Sequence, residues 1–203
     1  MELDERTADA LREFGNIGAG HAAMALSVLL RERVNMSVTD ARLCPLEDIV
    51  DVVGGADNIV AAVFIRIVGQ IPSNMFVLLS LSSVDRLLDR LIEPVESRDD
   101  YTDLELSAIA EVGNILSGAY VTAISTLCGI HLNQSVPSVA IDMAAAVLDI
   151  GLMTSSTDEN EAILISTSLS QGKQSIDGHF FMLPDVNELD TLLGILRGKL
   201  ENG

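Results

Sequence analysis

The sequence predicts an α+β fold made of two similar halves. One observation behind this prediction is a motif that occurs twice, with every pair of matching positions 98 residues apart. A second is the order of predicted elements, which is long helix, strand, short helix, two strands and helix in both halves. A third is the short turn that joins the last two strands of each half, which predicts an antiparallel hairpin. We therefore expect one domain over residues 1–203, with repeats over about 1–96 and 101–203.

The repeated motif has the form Asp/Ser-x-x-x-Glu-x-Gly-Asn-x-x-x-Gly. Its matching pairs are Asp9 and Ser107, Glu13 and Glu111, Gly15 and Gly113, Asn16 and Asn114, and Gly20 and Gly118. Because each residue of an α-helix turns about 100°, the polar positions of each copy fall on one stripe. The apolar positions predicted to be buried in the first helix are Leu11, Phe14, Ile17, Met24, Ala25 and Val28. Those of the second helix are Ile109, Val112, Ile115, Ala119 and Ala123.

Three glycines beside the first polar stripe, Gly15, Gly18 and Gly20, carry an energetic cost. A glycine inside a helix is less favourable than alanine by about 1 kcal/mol. One explanation is tight helix packing, in which a small residue lets another backbone or side chain approach. The other is that a partner must come close to Glu13 and Asn16. The second copy of the Glu-x-Gly-Asn core favours the explanation by a partner.

The elements of the first half have local start and stop signals. Acidic residues lie in the first turns of the first helix, where they suit the helix dipole. Pro45 opens a short helix that Gly54 and Gly55 close, and Pro94 stops the last helix. The predicted elements are a helix over 3–30, a strand over 34–43, a short helix over 45–53, strands over 59–68 and 75–81, and a helix over 83–92.

The second half repeats this order after an acidic linker over 93–101. Gly129 ends its long helix, and Asp185 is predicted to cap its last one. The predicted elements are a helix over 103–128, a strand over 131–139, a short helix over 142–150, strands over 162–169 and 175–183, and a helix over 185–200.

Composition excludes several classes of partner and site. The formal net charge of −18 would repel nucleic acid and anionic membranes. No apolar run reaches the ~18 residues that a membrane span needs, and no signal-peptide pattern opens the chain, so a soluble cytoplasmic protein is expected. Cys44 and Cys128 are too few for a disulfide scaffold, and His21, His131 and His179 have no metal-like spacing. We therefore expect no metal site and no insertion into a membrane.

Motifs for small-molecule catalysis are also missing. The glycines at 15, 18 and 20 have the wrong spacing for a dinucleotide loop, and they lie inside a predicted helix. The sequence has no Gly-x-Ser-x-Gly motif and no phosphate-binding loop. No residue is an obvious nucleophile, since the repeated motif offers only a carboxylate and a carboxamide one helical turn apart.

The repeated Asp/Ser-x-x-x-Glu-x-x-Asn pattern resembles the signature of the CheC/CheX/FliY family of bacterial and archaeal chemotaxis phosphatases, and two intact motifs are typical of its CheC-type members. The resemblance runs from Glu2 to about Leu200. It implies a six-stranded antiparallel sheet, with the two long helices side by side on one face and a pseudo-two-fold axis between the halves. In the family, a proline follows each motif after 22 residues. Pro137 conforms to this pattern, whereas the first half has Thr39 and departs from it.

The family's substrate is phosphorylated CheY, the response regulator of this two-component system, which brings its own phospho-aspartate and Mg²⁺. The resemblance therefore implies that the chain needs no cofactor of its own. It also implies a monomer, with the following site residues: Asn16 and Asn114 orient the attacking water, Glu13 and Glu111 pair with a lysine of CheY, and Asp9 and Ser107 support them. A module that binds phosphorylated CheY or the deamidase CheD without catalysis remains an alternative, because the same surface serves both functions.

The short helix over 142–150 has two open interpretations. Its charged residues, Asp142 and Asp149, are seven apart and so share a face beside an alanine stretch. The helix then either packs on the rim of the sheet or binds a partner. In the CheC-type members that the chain resembles, the matching helix binds CheD, which modulates the phosphatase. That resemblance implies contacts at Ala145, Leu148 and Asp149.

Overall fold

Two long helices that pack on an antiparallel sheet dominate the structure. The structure is a computed structural model that describes residues 5–94, 98, 100–153, 161–171 and 174–200. The helices are α1 (Glu5–Leu30), α2 (Ile49–Val52), α3 (Leu81–Leu91), α4 (Asp103–Cys128), α5 (Ala144–Met153) and α6 (Glu188–Leu200). The strands are β1 (Asn35–Pro45), β2 (Ile59–Gly69), β3 (Ser73–Ser80), β4 (Leu132–Gln134), β5 (Ser138–Met143), β6 (Glu161–Gln171) and β7 (Gln174–Pro184). A 3₁₀ turn over Leu46–Asp48 leads into α2.

The predicted α+β class and the antiparallel sheet are confirmed. The strand order is β1-β6-β7-β3-β2-β4, and β5 also pairs with β2. By their place in the repeat, β1 corresponds to β4 and β5, β2 to β6, and β3 to β7. If each strand is replaced by its counterpart, the same strand order results, read in the opposite direction. The sheet therefore has the predicted pseudo-two-fold arrangement, with its axis between β3 and β7. The first strand region of each half pairs with a strand of the other half, since β1 pairs with β6 and β5 pairs with β2.

The single strand predicted over 131–139 is wrong. The chain forms two short strands there, β4 and β5, which pair with successive parts of β2. Pro137 lies in the break, and proline has no N–H with which to continue a ladder. The matching strand β1 is continuous, with a register shift between Val38 and Asp40. The strand with Thr39 therefore continues through a bulge, whereas the chain with Pro137 at the same place is broken into two strands.

The two long helices pack against each other through aromatic side chains and glycine. The ring of Phe14 meets that of Tyr120 edge to face, with centroids 5.7 Å apart, and Tyr120 also contacts Phe180 at 4.4 Å. Tyr120 is fully buried, and burial raises the pKa of its hydroxyl. Within the described part of the chain, that hydroxyl has no hydrogen-bond partner. Ring packing, and not a hydrogen bond, therefore holds this residue.

The predicted buried face of α1 is only partly right. Leu11 and Phe14 are buried, but Met24 and Val28 are 66% and 80% exposed, and Ala25 is exposed as well. Small residues take their place in the interface, namely Gly15, Gly18, Ala19 and Ala22. The apolar side of α4 is buried largely as predicted, with Ile115 only partly covered. The buried side of α1 therefore combines these small residues with large ones such as Phe14 and Leu26, and it leaves Met24 and Val28 outside.

Packing explains the buried glycines of the two long helices. A Cβ atom at Gly18 would collide with the ring of Tyr120, and one at Gly113 would lie 2.6 Å from Val63. At Gly15 the nearest atom would be a methyl group of Val38, at 3.2 Å. Only at Gly20 does the space stay open, with no atom within 4 Å. The explanation by partner approach is therefore wrong for the buried glycines and remains possible at Gly20.

The start of α4 is fixed by a capping box and an arginine cluster. Thr102 and Glu105 exchange the two hydrogen bonds of the box. The backbone N–H of Thr102 is the main cause that lowers the pKa of Glu105 to about 2, and Arg98 adds to it. Arg98 also pairs with Asp89 of α3, at 2.9 Å. This cluster joins the last helix of the first half to the first helix of the second.

The predicted cap of the last helix is wrong. Helix α6 begins at Glu188, three residues after Asp185. The carboxylate of Asp185 instead accepts hydrogen bonds of 2.7 and 2.5 Å from the guanidinium of Arg66 on β2. A bidentate pair of this kind is stronger than one cap contact, so the tertiary partner takes the side chain.

We expect Gly18→Ala and Gly20→Ala to change stability in opposite directions. The methyl group at position 18 meets the Tyr120 ring, and overpacking of this kind costs about 1–3 kcal/mol. At position 20 the methyl group enters open space, so the gain in helix propensity of up to about 1 kcal/mol remains. Urea unfolding of the two variants and the parent protein measures both changes. Equal stability of the two variants would contradict this account of the helix interface.

Candidate functional site

The second copy of the motif forms one wall of an open groove of about 550 Å³. Ser107 and Glu111 are exposed on α4, and Asn114 is half-buried one turn further along. The opposite wall is the connection between β4 and β5. The lining residues are Ser107, Ala110, Glu111, Asn114, Gln134, Ser135, Val136 and Pro137. The structure thus brings the three predicted residues of this copy together with the predicted proline.

The carboxamide of Asn114 is held by a neighbour that the sequence analysis missed. Nε2 of Gln134 donates hydrogen bonds to Oδ1 of Asn114 at 2.6 Å and to its backbone oxygen at 3.3 Å. The hydroxyl oxygen of Ser117 lies 3.3 Å from Oε1 of Gln134, while its hydrogen has a nearer acceptor in the backbone oxygen of Gly113, at 2.8 Å. Gln134 lies 20 residues after Asn114 on another element, so no periodicity of α4 could have pointed to it.

The connection that follows Gln134 is attached to β2. The backbone N–H of Ser135 donates to the oxygen of Arg66 at 2.8 Å, and the N–H of Arg66 donates to the hydroxyl of Ser135 at 3.0 Å. Next to it, Val136 is 86% exposed at the mouth of the groove. The wall is therefore fixed at its base and presents an apolar side chain to whatever approaches.

The first copy has the same residues in a more open setting. Glu13 and Asn16 are exposed on α1, and Asp9 pairs with Arg12 at 3.2 Å on the surface. The carboxamide of Asn16 has no hydrogen-bond partner among the residues that the structure describes. Met36 occupies the position that corresponds to Gln134, and it packs against the hydrophobic core. The two copies therefore share their outward-facing groups and differ behind the asparagine.

The chemistry available at both copies is hydrogen bonding and charge. Across the described ranges, no group of three or more His, Cys, Asp or Glu side chains could hold a metal ion. Cys44 and Cys128 are both buried, and neither forms a disulfide. The groove thus offers a carboxamide for orienting a small molecule, together with an exposed carboxylate that attracts cations and repels anions. None of the helices described in the structure is long and apolar enough to cross a membrane.

The short helix of the second half lies on the other face of the sheet. Helix α5 starts at Ala144, and Asp142 belongs to β5, so the predicted start at 142 is wrong by two residues. Leu148 is only 6% exposed and packs into a second core cluster with Val147. Ala145 is half-buried and Asp149 is exposed. Packing on the sheet therefore accounts for the inner side of this helix, and its outer side is open.

Comparison with known proteins agrees with this geometry. The model of the CheC-like family matches residues 7–38 and 104–141, which contain both motif copies and the chain that follows each of them. The chain is 37% identical to the CheY-P phosphatase CheC of Bacillus subtilis (strain 168), over 98% of this chain and 97% of that protein. It is 23% identical to a CheC protein of Halobacterium salinarum, over 94% and 96% of the two chains.

The solved structure of FliY from Thermotoga maritima has the same fold, with a TM-score of 0.78 and 20% identity over 98% of this chain and 100% of that one. The two matched segments of the family model each begin on a long helix and end in the strand region behind it. Because the similarity to the Bacillus protein extends over nearly the whole length of both chains, this chain belongs to the CheC-like family.

Proposed function

We propose that this protein is a cytoplasmic, monomeric phosphatase that removes the phosphoryl group from the phospho-aspartate of the response regulator CheY. The observation that carries the proposal is the held carboxamide of Asn114 in an open groove, with the exposed Glu111 one turn away. The relative from Bacillus subtilis, a CheY-P phosphatase by name, supports the same substrate. Phosphate release from purified CheY-P is the direct test.

Hydrolysis of an aspartyl phosphate requires a water molecule in line with the bond that breaks. In the proposed step, water attacks phosphorus and the bond from phosphorus to the aspartate oxygen breaks, which gives inorganic phosphate and a free carboxylate. The carboxamides of Asn16 and Asn114 orient that water, as a glutamine does in GTPases. Neither side chain forms a covalent bond, which fits the absence of a nucleophile from the motif.

The charges of the site fit a substrate that brings its own cations. Glu111 lies beside Asn114 in the groove lining, and a carboxylate there repels a bare phosphoryl group. CheY supplies Mg²⁺ and a lysine with its phospho-aspartate, so Glu13 and Glu111 anchor that lysine. Asp9 and Ser107 support the docking as neighbours on the same stripes. The protein then needs no cofactor of its own.

The exposed side of α5 is the proposed docking site of CheD. Asp149 lies at its rim and Ala145 forms a small, half-buried contact surface, while Leu148 supports the helix from inside. The alanines matter because a buried carboxylate without a partner would cost several kcal/mol. CheD bound here would modulate the phosphatase from the face of the sheet opposite the long helices.

We expect Asn16→Ala and Asn114→Ala each to lower phosphate release, and the double variant to abolish it. Loss of a group that orients the reacting water costs about a hundredfold or more at the affected site. The measurement is inorganic phosphate released from CheY-P, with circular dichroism as a check on folding. Binding of CheY-P without any release by the parent protein would instead favour the non-catalytic alternative.

We expect Glu111→Lys to weaken binding of CheY more than it slows turnover of the bound complex. The substitution places two like charges together where a salt bridge is proposed, which raises the dissociation constant. Titration with beryllofluoride-activated CheY measures this, in a Glu13→Lys background that leaves one intact docking carboxylate. An unchanged affinity would remove Glu111 as the anchor.

We expect Asp149→Lys to abolish capture of CheD in a pull-down. A matched control exists, because Asp51 occupies the same position of the repeat on α2 and is also exposed. The Asp51→Lys variant has the same change in charge and should still capture CheD. If both variants bind CheD as the parent protein does, α5 is not the docking site.

A further inference from the structure

Gln134 differs from the rest of the groove lining because it contacts the reactive side chain itself. Its Nε2 group faces two acceptors of Asn114, Oδ1 at 2.6 Å and the backbone oxygen at 3.3 Å. Two acceptors on one side require the donor end of the amide there, so the orientation of Gln134 is determined. We propose that Gln134 is a positioning residue that holds the Asn114 carboxamide for catalysis at the second site, an inference that rests on the proposed function.

The glutamine is itself held from behind. The buried Ser117 packs behind its amide, with the hydroxyl oxygen 3.3 Å from Oε1. On β4, Gln134 pairs with Ile67 of β2, and the next residue, Ser135, is attached to Arg66. A hydrogen bond from a fixed group restricts its partner more than one from a mobile side chain does. Asn114 is therefore held by the sheet as well as by its own helix.

The last glycine of the motif lies next to this contact. A Cβ atom at Gly118 would lie 3.5 Å from both Nε2 and Oε1 of Gln134, at ordinary contact distance. Position 118 thus borders the amide of Gln134 one turn after Asn114. At Gly20, the matching position of the first copy, no atom lies within 4 Å. The same glycine therefore has a neighbour in one copy and none in the other.

The held orientation leaves the useful atoms of Asn114 available. Oδ1 has two lone pairs, and Gln134 occupies one of them. Among the described residues, none donates to the second lone pair or accepts from Nδ2. A water molecule and a phosphoryl oxygen can therefore both be bound by a carboxamide whose plane is already fixed. This lowers the conformational entropy that is lost on reaching the transition state.

The first repeat lacks the whole arrangement. Met36 stands where Gln134 would be, and a thioether cannot donate a hydrogen bond to Asn16. Asn16 is exposed, so its side chain must be ordered during each encounter with the substrate. The two sites are therefore unequal in preorganisation, with the second site the more ordered one.

The test separates the two sites. In an Asn16→Ala background, only the second site keeps its carboxamide, and Gln134→Met introduces the residue that the first repeat carries. We expect kcat for phosphate release from CheY-P to fall about tenfold, which corresponds to the loss of one orienting hydrogen bond. The affinity for beryllofluoride-activated CheY should stay the same, because Gln134 acts on Asn114 and not on the bound protein.

A second background provides the control. With Asn114→Ala in place, Gln134→Met should cause no further change in the release that remains from the first site, since the side chain that Gln134 holds is gone. The unfolding temperature is measured for every variant. If Gln134→Met lowers it strongly, Gln134→Leu replaces that variant, because leucine also cannot donate to Asn114, and the same fall in kcat at unchanged affinity is expected.

Several outcomes would overturn the inference. One is an unchanged kcat of Asn16→Ala/Gln134→Met, and another is a weaker affinity with unchanged kcat, which would make Gln134 a binding residue. A fall of equal size in the Asn114→Ala background would show that Gln134 does not act through Asn114. Phosphate release by the Asn16→Ala/Asn114→Ala variant would contradict the proposed function itself. That variant keeps Gln134, so its result is independent of the role of Gln134.

Discussion

The close contact between the two long helices is the constraint on which the rest of the structure depends. The Tyr120 ring occupies the space that a side chain at position 18 would fill, and Phe14 meets the same ring at its edge. This contact and the sheet beneath it bury one side of each helix. The polar stripes are thereby left on the outside, so the packing that determines the fold also determines which side a partner can reach. Of the motif glycines, Gly15 and Gly113 let the helices approach the sheet, while Glu13 and Glu111 face the solvent.

Local signals predicted most of the elements, and tertiary contacts account for the failures. Helix α4 has the predicted bounds because its Thr102–Glu105 capping box and the left-handed Gly129 both lie within a few residues of its ends. The cap predicted at Asp185 failed because Arg66, 119 residues earlier, binds that carboxylate. The buried face of α1 was partly misplaced because Met24, Ala25 and Val28 were assigned to the core by their apolar character, whereas Gly18, Ala22 and Leu26 lie on the side that is buried.

Only those parts of the site that are repeated in both halves could be predicted from the sequence. The outward-facing stripe was found because it recurs at helical spacing on each of two helices. Gln134 could not be found in this way, since it belongs to β4 and has a methionine as its counterpart in the first half. The same holds for the break at Pro137 and the bulge at Thr39, which differ between the halves. Duplication thus made the shared chemistry visible in the sequence and concealed the parts in which the copies differ.

The exchange of strands between the halves has a consequence for how the chain folds. Strand β1 finds its partner β6 more than 110 residues later, since Pro45 pairs with Glu161 and Asn35 pairs with Ser170. Until β6 has left the ribosome, β1 has no neighbour in the sheet, and the buried side of α1 has no complete surface to cover it. Contacts between such distant residues make the contact order high, and folding is correspondingly slow. The first half therefore cannot complete its fold until the second half has been synthesised. During that period the nascent chain is most exposed to aggregation.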